Sequence, residues 1–70
     1  MRWSDVVVGK VYRHASGNVY RITRIGHEEA ESYRLWPKWN IDVPNCVTLW
    51  FPDKLTELSP EEAAIYLMQG

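Results

Sequence analysis

Val11-Tyr12-Arg13-His14-Ala15-Ser16-Gly17-Asn18-Val19-Tyr20-Arg21-Ile22 is the stretch that decides how this chain folds. Two runs rich in β-branched and aromatic residues flank a short polar centre. Gly17 and Asn18 tolerate the positive φ that tight turns demand, so the stretch reads as a β-hairpin. Centring the turn on Ser16-Gly17 sets Val11 opposite Ile22 and Arg13 opposite Tyr20. On the other face Tyr12 then meets Arg21 and His14 meets Val19. With Val11 and Ile22 inward, Tyr12, His14, Arg21 and Thr23 face outward. A slip of one residue reverses both faces.

Working outward, short β-type runs recur between turn residues. Gly26 to Glu31 is a polar connection, and Ser32-Tyr33-Arg34-Leu35-Trp36 is a third strand stopped by Pro37. An extended loop follows to Asn45. Cys46-Val47-Thr48-Leu49-Trp50-Phe51 is the next strand, with Val47, Leu49 and Phe51 on one face and Thr48 and Trp50 on the other. Lys54 to Leu58 reads as a fifth strand. Ser59-Pro60-Glu61-Glu62 then opens a helix: Ser59 as N-cap, Pro60 at the first helical position, Glu62 completing a capping box. The glutamates also complement the helix dipole. A helix this short is marginal alone, so Ala64, Leu67 and Met68 are expected to dock on the sheet. The fold class predicted is mainly β, an SH3-like barrel or a strongly bent antiparallel sheet of about five strands, with a short C-terminal helix.

The 70 residues carry 8 Lys plus Arg and 9 Asp plus Glu, a net charge of −1, and allow a single domain spanning residues 1–70. Four Trp and four Tyr supply the core that so short a chain requires. Cys46 has no partner for an internal disulfide, and a lone thiol fits a reducing cytoplasm. Asp5 and Gly9-Lys10 break up the N-terminal apolar residues, which excludes a signal peptide or a membrane span there. The initial Met1 fits a small stand-alone protein. Near-neutral charge argues against a dedicated duplex-DNA binder.

The hairpin carries a resemblance. Tyr12-Arg13-His14, then Gly17-Asn18-x-Tyr20-x-Ile22, resembles the opening of a small bacterial domain family of unknown function. Tyr33 and Leu49-Trp50-Phe51-Pro52 match its later tyrosine strand and its Leu-Trp segment before a proline. Phe51 stands where the family usually places arginine, and Trp36 to Asn45 has no counterpart. The resemblance implies a small β-rich fold and supplies no role or catalytic residue.

The chain lacks a phosphate loop, a nucleophile elbow and a cysteine–histidine signature. His27-Glu28-Glu29-Ala30-Glu31 offers two ligands at helical spacing, whereas zinc wants three or four, so it reads as a solvated acidic loop. Cys46 beside Val47 reads as a quiet core thiol, and His14 as a sheet-surface or turn-stabilising residue. Neither metal nor cofactor is implied.

The aromatics say more. Trp50 is either beneath the helix or exposed, and the size limit favours burial. Trp36 and Trp39 flank Pro37-Lys38, with Arg34 just before, in the composition of a contact surface. One of these two tryptophans is expected in the core and Trp39 exposed. The leading expectation is a non-enzymatic binding module or regulator whose partner is another protein. Its contacts are Tyr12, Arg21, Arg34, Trp36, Lys38 and Trp39, with homodimerisation through a sheet edge a second route. An inhibitor of a larger machine, of the kind phages encode, fits this description. The alternative is a single-stranded nucleic-acid binding barrel, because small β-barrels present aromatics for base stacking beside basic residues and 7 of the 8 basic residues here precede Ile41.

Overall fold

The computed structural model describes residues 2–37 and 45–69. Its strands are β1 (Val11–His14), β2 (Val19–Ile25), β3 (Ala30–Trp36), β4 (Cys46–Leu49) and β5 (Leu55–Glu57), followed by helix α1 (Pro60–Gln69). Short 3-10 turns occupy Trp3–Asp5 and Pro52–Lys54. The strands form one antiparallel sheet in the order β4-β3-β2-β1-β5. Among the described residues β4 and β5 do not pair, so the sheet is open rather than a closed barrel.

The hairpin forms where the sequence places it, but its register differs by one residue. Tyr12 pairs with Tyr20 and Arg13 with Val19. The reason lies in the turn. His14 N–H donates to Asn18 O at 2.7 Å and Gly17 N–H to His14 O at 2.8 Å, which encloses Ala15, Ser16 and Gly17 in a three-residue loop. Gly17 takes φ +96°, the left-handed position that such a loop requires. His14 braces the turn: its Nδ1 accepts from Ser16 N–H at 3.0 Å and lies 2.8 Å from Ser16 Oγ.

This register gives the sheet two buried faces. On one, Tyr12, Tyr20, Ile22, Ala30, Leu49 and Leu55 pack with Trp3 and Val6 from the N-terminal segment. Trp3 Nε1–H donates to Glu28 O at 3.0 Å, pinning that segment across the β2–β3 connection. On the other, Val11, Val19, Leu35 and Leu58 lie beneath α1, which contributes Ala63 and Tyr66. Val11 and Ile22, expected on one face, therefore belong to opposite cores. Tyr12, expected outward, is 1% exposed.

The sheet must bend. β4 and β5 are its two edges, four spacings apart, about 19 Å if flat, before any offset along the strands. The connection from Leu49 to Leu55 is two extended residues and a 3-10 turn, a reach of about 16 Å. Leu49 and Leu55 accordingly share one core.

Helix α1 starts as its sequence dictates, with Glu62 N–H donating to Ser59 Oγ at 3.2 Å. Its docking face differs from expectation. Ala63 and Tyr66 pack inward while Ala64, Leu67 and Met68 are exposed. Arg13 explains the choice: its guanidinium donates to Tyr66 Oη at 3.1 Å and lies 3.8 Å from Glu62, drawing that face onto β1. Trp50 and Phe51, expected in the core, are also exposed. β4 ends at Leu49, and the chain turns at Pro52 before either ring reaches a packed layer.

Candidate functional site

The surface that collects the most recognition-type side chains lies on the α1 face of the sheet. Arg21 on β2 stands directly opposite Tyr33 on β3, so the two share that face. Trp36 stands opposite Val19, two residues from Arg21 along β2, and so joins them. Simple alternation along β3 would put Tyr33 and Trp36 on opposite faces, because they are three apart. A register shift between Val19 and Tyr20 skips Leu35, and this bulge returns Trp36 to the side of Tyr33. Leu35 enters the core beneath α1 while Trp36 stays 49% and Tyr33 42% exposed.

Hydrogen bonds fix part of this surface. Tyr33 Oη accepts from Asn45 Nδ2 at 2.8 Å, and Asn45 is held by Arg34 N–H donating to its carbonyl at 2.9 Å. Tyr33 is thereby positioned by Asn45, the residue that precedes β4.

The six residues expected to form the contact surface separate. Arg21 and Trp36 come together. Tyr12 belongs to the core, its hydroxyl accepting from Val7 N–H at 3.0 Å. Arg34 is buried and stands opposite Tyr20, on the face away from Trp36. Lys38 and Trp39 lie outside the described residues. Tyr33 is the addition that sequence reasoning missed. Its signal was the pairing with Arg21, which becomes visible only once the β2–β3 register is known.

Three basic residues of the hairpin half are matched by acids. Lys10 Nζ lies 2.8 Å from Glu57, Arg24 lies 2.7 Å from Glu31, and Arg13 reaches Glu62. The hydrogen bond and charge of Glu57 raise the Lys10 pKa above its ordinary value. Those of Glu31 raise Arg24, and Arg24 in turn holds the Glu31 carboxyl below the usual range. These pairs are exposed and individually weak, yet they cancel charge locally.

A groove of about 760 Å³ runs between α1 and β1, walled by Val11, Leu58, Ala63, Ala64 and Leu67 and bordered by Lys10 and Glu57. Its walls are chiefly apolar. No group of three or more His, Cys, Asp and Glu able to hold a metal occurs among the described residues. No helix among them is long and apolar enough to cross a membrane. Comparisons with protein-family models, curated proteins and solved structures find no match.

Proposed function

We propose that this chain is a non-catalytic binding module whose partner is another protein, engaged through Arg21, Tyr33 and Trp36. The observation that carries the reading is the bulge at Leu35, which sets two half-exposed aromatic rings and an arginine on one sheet face. Tryptophan, tyrosine and arginine dominate interface energetics because each offers a large contact area together with a polar group. Strands rather than loops carry Arg21, Tyr33 and Trp36, so little ordering entropy is lost on contact. A regulator of a larger assembly is the role this surface suits.

Single-stranded nucleic acid is the second reading, since aromatics beside arginine also stack bases. The ion pairs of Lys10, Arg13 and Arg24 count against it, because phosphate would have to compete with carboxylates already in place. The test combines two titrations. Arg21→Ala and Trp36→Ala should each abolish the capture of a cytosolic protein partner that the unsubstituted chain achieves, while leaving the circular dichroism of the chain unchanged. Labelled oligo(dT) and oligo(U) should show no salt-dependent quenching of tryptophan fluorescence. Salt-sensitive binding at micromolar concentration would replace the protein reading with the nucleic-acid one.

A further inference from the structure

We propose that the outer edge of β4 is a self-association site, at which a second copy of this chain adds its own β4 in antiparallel orientation across a two-fold axis. This edge adjoins the Arg21–Tyr33–Trp36 face at Tyr33, which pairs with Cys46, but it engages backbone groups of β4 rather than those side chains, so the proposal is tested independently of the function above.

Arg34 N–H donates to Asn45 O, which makes that position a hydrogen-bonded pair of the β3–β4 ladder. Antiparallel ladders alternate, so Ser32–Val47 and Ala30–Leu49 are hydrogen-bonded pairs too, while Tyr33–Cys46 and Glu31–Thr48 are not. The N–H and C=O groups of Cys46 and Thr48 therefore point away from β3, toward the open edge. Among the described residues no strand pairs there.

The sequence leaves this edge unguarded. Cys46-Val47-Thr48-Leu49-Trp50-Phe51 contains no charge, no proline and no glycine, and its residues favour strands. Natural edges are normally blunted by lysine, proline or a bulge. The opposite edge is blunted in this way: β5 is three residues long, ends in Glu57, and follows Pro52, Asp53 and Lys54. Trp50 and Phe51 extend the β4 edge as exposed rings, and Phe51 keeps an extended backbone at φ −121° and ψ 98°.

These features favour a second copy. Self-pairing of an uncharged strand brings no like charges together, and a net charge of −1 opposes association only weakly. Centring the two-fold axis on Thr48 sets Thr48 opposite its own counterpart and Cys46 opposite Trp50. Each of those pairs can exchange two backbone hydrogen bonds. The contact is isologous and closes as a dimer, because the same strand is consumed on both sides.

Sedimentation equilibrium of the full chain, from micromolar to sub-millimolar concentration, tests this directly. The expected result is a monomer–dimer equilibrium. Thr48→Pro removes an outward N–H without touching the β3 ladder, and Thr48→Lys sets two charges face to face; each should weaken the dimer by about tenfold or more. The lysine variant keeps every backbone donor, so it answers the question even where the proline variant fails to fold. In a Cys46→Ser background, Thr48→Cys should form an intermolecular disulfide under mild oxidation, since the paired Cα atoms would stand about 5.5 Å apart. A chain that stays monomeric at every concentration would overturn the proposal. So would a dimer indifferent to Thr48→Lys, or one abolished by Trp36→Ala alone.

Discussion

Tyr12 on β1 stands directly across from Tyr20 on β2, and both rings are buried on the face away from α1. Each hydroxyl reaches a partner at a different end of the hairpin. Val7 N–H donates to Tyr12 at 3.0 Å, and Asn18 Nδ2 donates to Tyr20 at 3.0 Å. The pair thus joins the N-terminal segment, two strands and the turn through two side chains.

Tyr12→Ala should therefore be the most disruptive of the substitutions considered, costing about 3–5 kcal/mol as other buried aromatic truncations do. Tyr12→Phe keeps the ring and deprives Val7 N–H of its acceptor, a loss of about 1 kcal/mol. Urea denaturation followed by tryptophan fluorescence measures both. A phenylalanine variant as stable as the parent would show that water serves Val7 equally well.

The helix start makes a second case. Ser59→Ala removes the oxygen that Glu62 N–H donates to, and should lower stability by about 1 kcal/mol, whereas Ser59→Asp should retain most of it. Because α1 covers Val11, Val19, Leu35 and Leu58, the effect should appear in the global unfolding transition rather than as isolated fraying of the helix.

Acid sensitivity follows from Arg24 and Glu31. The hydrogen bond and charge of Arg24 hold the Glu31 carboxyl below the usual range, so the folded state favours the ionised form. The resulting stabilisation is complete above the ordinary glutamate range and disappears as pH falls through the depressed value. Carboxyl carbon shifts should give Glu31 a midpoint below that of a free glutamate, and Arg24→Ala should move it back up. The pair is exposed, so added salt should shrink the difference.

His14 offers a prediction about proton position. Its Nδ1 accepts from Ser16 N–H, which requires the ring proton on Nε2. Nitrogen chemical shifts of the folded protein should report that tautomer. Ser16→Ala should leave it unchanged, because the backbone donor remains; a shift to the Nδ1–H form would show that the serine hydroxyl governs the turn.

Strand positions and the helix cap were readable because their signals are local. Gly17-Asn18 marks a turn wherever the register falls, and Ser59-Pro60 with Glu62 satisfies the orphan amides of a helix start regardless of what the helix touches. The details that failed depend on distant partners. A two-residue and a three-residue turn use the same Ala15-Ser16-Gly17-Asn18, and besides the turn's own hydrogen bonds it is the burial of Tyr12 beside Tyr20 that favours the longer one. Ala63 to Met68 is apolar all round, so periodicity could not select the face that Arg13 fixes through Tyr66. The contact surface suffered most. Trp36 reaches it through a bulge at Leu35, and no residue type in that strand announces one.

The first half of β1 has no side turned to solvent: β2 and β5 flank the strand, one core lies above Val11 and the other beneath Tyr12. Exchange of its amide hydrogens must wait for the whole molecule to open, so Val11 and Tyr12 should rank among the slowest positions. Heritable change should be channelled in the same way. Val11 and Tyr12 are where drift is least affordable, while the outer strands remain free to acquire new contacts without disturbing the centre that holds them.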